Sequence, residues 1–263
     1  MSLQQLHIML SQERTYVLGV RVDRIAQAEA LNVIDRMVAQ RRASHNTLPC
    51  QQVVTVNTEF VMVAQQNADF RLAINAAALV VADGIGIVWA TRYLGKPTPE
   101  RVTGTDILPV LAQLCAAHGY RLFLLGAAPG VAEASGERLQ KLAPGLVIAG
   151  TYAGSPTPSE EVEIIERIRA AQADVLCVAY GAPAQELWIY RNLARLPVAV
   201  AMGVGGAFDF ITGRQQRAPM RMQKLGLEWL YRLYREPWRW RRMLALPHFA
   251  VKVLLRGRKY YDT

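Results

Sequence analysis

Seven apolar runs punctuate the first 210 positions: YVLGVRV (16–22), QQVVTVN (51–57), ALVVAD (78–83), YRLFLLG (120–126), LVIAGTY (146–152), ADVLCVAYG (173–181) and VAVAMGVG (198–205). Several are apolar at consecutive positions, so both pleat faces are buried, as in parallel strands covered on two sides. The intervals between runs leave room for crossover helices. This pattern predicts an α/β fold: a Rossmann-like, mostly parallel sheet flanked by helices. Thr157-Pro158-Ser159-Glu160 reads as a capping box with proline at the first helical position, opening EEVEIIERIRAAQ. Gly119, Gly145 and Pro197 mark exits into strands.

After GGAFDFITGRQQRAP the pattern changes to MRMQKLGLEWLYRLYREPWRWRRMLALPHFAVKVLLRGRKYY, a helical, arginine-rich stretch that holds three of the five tryptophans. Pro237 should end one helix or start another. A boundary near residue 213 divides the chain into a Rossmann-like domain (1–213) and a C-terminal basic helical appendage (214–263). Charge agrees with that division. The chain carries +9, the stretch from Arg214 to Thr263 carries +10, and the first 213 residues carry −1. An anionic partner is therefore expected at the C-terminal end.

The 263 residues suffice for a hydrophobic core without disulfides. Cys50, Cys115 and Cys177 have no metal-site spacing and read as reduced core residues of a cytoplasmic protein. The N-terminus has no basic region leading into a long apolar run, and no window reaches spanning length. Neither a signal peptide nor a transmembrane segment is expected.

In an open parallel sheet, ligands bind beyond the carboxyl ends of the strands, where loops converge and helix N-termini point outward. The candidates there are Thr55, Asn57 and Thr58 after the second run, Asp83 after the third, Gly126 to Gly130 after the fourth, Gly181 to Glu186 after the sixth and Gly203 to Asp209 after the seventh. Asp83 has two readings: an N-cap for GIGIVWATRYLG, or a carboxylate kept for chemistry. RVTGTDILP (101–109) adds Arg101, Thr103, Gly104 and Asp106 in one polar loop, with Asp106 read as the cap of ILPVLAQLCAAHG. The glycine turns LFLLGAAPG and GVGGAF, including Gly126, Gly130, Gly203 and Gly205, either cradle phosphate or turn without a ligand. Neither has the full G-x-G-x-x-G spacing, which argues against a nicotinamide oxidoreductase.

VVTVNTEF, ADGIGIVWATR, RVTGTDILP, GAPAQELW and GVGGAFDFITGRQQRAP…LGLEWLYRLYREPWRWRR together resemble the WecG/TagA/CpsF family of bacterial glycosyltransferases, over residues 15 to about 245. The resemblance implies transfer of a sugar, typically N-acetylmannosamine, from UDP to an undecaprenyl-diphosphate-linked saccharide, with inversion, at the cytoplasmic membrane face. It implies a catalytic base at Asp83, a pocket with Thr55, Asn57, Arg101 and Gln185, and diphosphate contacts from Arg232, Arg239 and Arg242. Ala82 stands where the family frequently has proline.

An inverting transfer needs one base for the acceptor hydroxyl while the nucleoside diphosphate leaves from the opposite face. The chain has no Asp-x-Asp, and His7, His45, His118 and His248 are scattered. Arginines and helix N-termini are therefore expected to offset the leaving charge, with no metal and no cofactor. Arg221, Lys224, Arg232, Arg235, Arg239 and Arg242 would form one stripe if a single helix ran through Pro237. Interleaved with tyrosine and tryptophan, that stripe suits an anionic lipid surface, with a solvated face as the alternative and no nucleic-acid motif in view. A non-catalytic membrane adaptor that binds lipid diphosphates is the rival reading, and self-association in solution would hide the same apolar surface.

Overall fold

The protein is described here by a computed structural model covering residues 14–224, 227–237, 240 and 244–256, apart from the side chains of Lys224 and Arg232. Two antiparallel strands, β1 (Arg14–Val17) and β2 (Val20–Asp23), precede six parallel ones. These are β3 (Gln51–Val56), β4 (Leu79–Ala82), β5 (Arg121–Gly126), β6 (Val147–Tyr152), β7 (Val175–Ala179) and β8 (Val200–Gly203), in the spatial order β4-β3-β8-β7-β5-β6. Helices α1 (Gln27–Ala43), α2 (Thr58–Ala64), α3 (Ala68–Ala76), α4 (Ile85–Tyr93), α5 (Gly104–His118), α6 (Val131–Leu142), α7 (Glu161–Ala170), α8 (Ala184–Asn192) and α9 (Ala207–Thr212) connect or follow the strands. The C-terminal segment adds α10 (Met220–Lys224), α11 (Glu228–Arg235) and α12 (Ala245–Arg256).

The pleat explains the apolar runs. Val53, Leu122, Leu124, Val175, Cys177, Val200 and Met202 face one helical layer that includes Ile34, Ile107, Leu111 and Leu139. Their neighbours Val54 and Val56 face Phe60, Phe70 and Ile87, while Phe123, Leu176 and Val178 face Ile164, Ile168 and Trp188. Consecutive residues enter opposite layers, so alternation disappears from the sequence. All three cysteines are buried free thiols.

The run 16–22 does not form one strand. Leu18 (φ 51°) and Gly19 (φ 79°) both take left-handed conformations, which fold the run into a tight hairpin. That hairpin lies beside edge strand β4. Buried Asp23 accepts from Val80 N at 2.8 Å, covering an edge N–H. Arg21 grips both carboxylate oxygens at 2.8 and 2.7 Å and donates to Ala77 O at 2.6 Å. The charge pair is thus buried with hydrogen-bond partners of its own.

Gly119 ends α5 in the left-handed conformation expected of a helix-terminating glycine. The Thr157 box does not form as a cap on an α-helix. A single 3₁₀ turn, Pro158–Glu160, precedes α7, and Thr157 makes no side-chain capping bond. The basic stripe is not continuous either: α10 ends at Lys224 and α11 runs only from Glu228 to Arg235. Helix α12 returns to the sheet domain, burying Phe249 and Val253 among Phe60, Val61 and Ile87.

Candidate active site

Two glycines set the geometry around Asp83. The Asp83 N–H donates to Val56 O at 2.7 Å, so the β3–β4 ladder positions this residue. Gly84 follows at φ 103°, a conformation that side chains resist, and occupies the N-cap of α4 with no side-chain capping bond. Asp83 is therefore not the cap of that helix. At Gly86 a β-carbon would fall 2.4 Å from Thr58 Cγ2, so glycine lets the N-terminus of α4 meet the start of α2. The α2 start is held by Asn57, whose side-chain oxygen accepts from Phe60 N at 3.1 Å.

Half-buried Asp83 lines a cavity of about 220 Å³ at the carboxyl ends of β3 and β4. Asn57, Thr58 and Glu59 form one wall, Gly84, Ile85 and Gly86 another, and Arg101, Thr103 and Thr105 a third. Phe210 of α9 and, from the C-terminal segment, Arg217, Glu228, Trp229, Ala245 and Leu246 close it. First-turn N–H groups of helices bring partial positive charge to such a space.

Thr103, rather than Asp106, caps α5. Its hydroxyl accepts from Asp106 N at 3.0 Å and donates to Asp106 Oδ2 at 2.8 Å. Asp106 in the first turn takes Arg217, and Arg101 stands 3.7 Å away. Glu228 completes a ring, accepting from Arg101 Nη1 at 2.6 Å and Arg217 Nη2 at 3.2 Å. Burial pushes the Asp106 carboxyl up, but bonds from Arg217 and Thr103 outweigh it and hold its pKa below the ordinary value. Burial likewise opposes charge on Arg217, and Asp106 and Glu228 reverse the effect and raise its pKa.

The remaining candidates stand elsewhere. Thr55 is buried within β3, and Gly104 is buried against the backbone of Val204. Gln185 does not line the cavity. Its Oε1 accepts from Gly181 N at 3.0 Å and Gly205 N at 3.1 Å, tying together the loops after β7 and β8, and its Nε2 donates to Glu186 Oε1 at 2.7 Å. Gly203 leaves the space those two side chains fill. Burial raises the Glu186 pKa to about 8, against the opposing bond from Gln185.

Gly126 ends β5 and Gly130 follows it, three places along the sheet from β3, and neither lines the cavity. At Gly126 a β-carbon would fall 2.8 Å from the Ala179 carbonyl carbon, so close packing between strands requires glycine there. Arg239 and Arg242 lie outside the described residues, as does the side chain of Arg232. Among the described residues, no group of three His, Cys, Asp or Glu side chains is placed to hold a metal ion. No described helix is long and apolar enough to cross a membrane.

Arg217, Glu228, Phe210 and Trp229 are among the cavity residues that sequence reasoning did not single out, as are Glu59, Thr105, Ala245 and Leu246. The signal for the first four was present in GGAFDFITGRQQRAP and GLEWL, words quoted for the resemblance, and Glu228 is one of only three acids in the basic stretch.

Comparison with known proteins is consistent with this geometry. The model of the glycosyl transferase WecG/TagA/CpsF family matches residues 15–263. A relative from Bacillus spizizenii (strain ATCC 23059 / NRRL B-14472 / W23) is 37% identical over 202 residues, 77% of this chain and 78% of its own. It is named N-acetylglucosaminyldiphosphoundecaprenol N-acetyl-beta-D-mannosaminyltransferase. Relatives of the same name from Bacillus subtilis (strain 168) and Staphylococcus aureus (strain MW2) are 34% identical over 77% of this chain and 78% of the first, and 31% identical over 92% of this chain and 93% of the second.

Proposed function

The chain belongs to the WecG/TagA/CpsF family and is a hexosyltransferase, and from that premise we propose that it moves N-acetylmannosamine from UDP to an N-acetylglucosaminyl diphosphoundecaprenol acceptor, with inversion. The adaptor and oxidoreductase readings fall with the family. One observation carries the proposal to a residue: Asp83 lines the cavity but does not cap α4.

In this mechanism the Asp83 carboxylate takes the proton of the acceptor hydroxyl as its oxygen attacks the anomeric carbon, and the bond to UDP breaks on the opposite face. Asn57 and Thr58 lie along the same wall for sugar hydroxyls. Guanidinium groups and the N-terminus of α4 offset the charge that develops on the departing diphosphate. Arg232, Arg239 and Arg242 join them when the C-terminal segment meets the lipid.

Trp229, Leu230 and Tyr234 on α11 and Val251, Leu254 and Leu255 on α12 are exposed, beside Arg235, Lys252 and Arg256. Apolar side chains flanked by cations suit an anionic leaflet, here the cytoplasmic face. Away from a membrane, self-association would cover the same face.

The test is UDP release from UDP-N-acetylmannosamine with a short-chain N-acetylglucosaminyl diphospholipid. An Asp83→Asn variant with an unchanged melting curve should lose about 10²–10⁴ in kcat. Full turnover by that variant would remove the base assignment.

A further inference from the structure

The ring Arg101, Glu228, Arg217 and Asp106 has two unlike carboxylates. Asp106 belongs to the sheet domain: it sits in the first turn of α5 and is fixed by Thr103. Glu228 is the first residue of α11, and its partners among the described residues are the two guanidiniums, one on each carboxylate oxygen. That is how two oxygens of a phosphoryl group would bridge a pair of arginines.

Among the described residues the cavity lining sets the carboxylate of Glu228 directly against Arg101 and Arg217, so an incoming polyanion meets guanidiniums already engaged by a negative charge. Withdrawing Glu228 removes that charge and frees N–H donors on both guanidiniums. The start of α4, with Gly84 at its cap, stands in the same lining.

Building on the transferase reading, we propose that Arg101 and Arg217 form a diphosphate-binding site that Glu228 occupies as an internal stand-in for the anion. The diphosphate displaces Glu228 and takes over its two hydrogen-bonding partners. Because Glu228 begins α11, that exchange releases the start of this helix from the sheet domain, so ligand entry and movement of the C-terminal segment are coupled. Arg101 and Arg217 bind the ligand, whereas Glu228 acts through them and is a positioning residue.

The test is equilibrium binding to the full chain without membranes, using inorganic pyrophosphate, UDP, farnesyl diphosphate and uridine as probes. Glu228→Gln should bind pyrophosphate at least about tenfold more tightly than the unaltered chain, the scale of one charge-assisted bond. Uridine affinity should stay unchanged, which separates an unmasked site from a generally loosened fold. A gain shared by pyrophosphate and UDP but not by farnesyl diphosphate assigns the site to the donor, one shared by pyrophosphate and farnesyl diphosphate but not by UDP assigns it to the lipid acceptor, and either supports the proposal. Adding Arg217→Gln to the Glu228 variant should abolish the gain. Equal or weaker pyrophosphate binding by Glu228→Gln, or an equal gain for uridine, overturns it. Turnover measured in parallel keeps the two readings apart: a chain that transfers sugar yet shows no gain refutes the stand-in alone. A gain in a chain that releases no UDP refutes the transferase reading alone. Should Glu228→Gln fail to fold, Glu228→Asp supplies the same comparison, since the shorter side chain cannot bridge both arginines, and unchanged pyrophosphate affinity in it overturns the proposal.

Discussion

A β-carbon on Gly203 would stand 2.5 Å from Nε2 of Gln185. It would also fall 2.4 Å from Glu186 Oε1. Both side chains are buried and hydrogen-bonded to each other, so neither has room to yield. Gly203→Ala is expected to cost about 1–3 kcal/mol of stability by overpacking. Urea unfolding measures it, and a midpoint unchanged from the parent would contradict this account of the glycine.

Glu186 makes stability depend on pH. Its pKa is about 8 in the folded chain, above the ordinary 4.5, so the folded state holds a proton that the unfolded state has lost across that window. Unfolding free energy should therefore fall as pH rises from about 4.5 to about 8, by up to roughly 1.4 kcal/mol per unit, and level off above. Glu186→Gln keeps the hydrogen-bonding shape without the ionisation and should flatten the slope. Denaturation series at several pH values, compared between parent and variant, decide the matter; parallel slopes would exclude Glu186 as the source.

Asp23 holds the hairpin to the edge of the sheet. Asp23→Ala leaves the Arg21 guanidinium buried without its carboxylate and uncovers Val80 N, at an expected loss of about 3–5 kcal/mol. Replacing Arg21 and Asp23 together with apolar residues should recover part of it, because the surviving charge is then gone. Thermal unfolding of the single and double variants measures this, and a double variant no more stable than Asp23→Ala would count against the buried-charge explanation.

Helix α12 has one face in the core and one exposed to solvent. Phe249→Ala empties a fully enclosed position beside Phe60 and Ile87 and should cost about 3–5 kcal/mol. Leu254→Ser with Leu255→Ser removes exposed apolar surface, changes stability by less than about 0.5 kcal/mol per site, and should weaken pelleting with anionic vesicles several-fold. Undiminished pelleting of the folded double variant would place the docking surface elsewhere.

Six of the seven apolar runs are strands of the parallel sheet; five are buried almost throughout and leave a mark that needs no knowledge of neighbours, whereas β6 at the sheet's edge is mostly half-buried. The carboxyl ends of those strands could be read as the side for chemistry for the same reason, and Asp83 and Asn57 are found there. Gly84 and Gly86 were visible as residues, but their purposes depend on a positive φ and on the approach of Thr58. The hairpin at Leu18-Gly19 was hidden inside an unbroken apolar run, since its turn rests on backbone angles rather than composition.

The amino-acid sequence by itself determined the layered α/β architecture, the polar strand ends and the basic C-terminal stretch, all of which follow from local hydrophobicity and charge. Only the tertiary structure decided that Gln185 braces two loops instead of lining the cavity, and that Arg101 meets Glu228 from 127 positions away. The physical reason is that periodicity reports whether a residue is buried, whereas the partner of a polar group is set by which distant segments packing brings within hydrogen-bond reach.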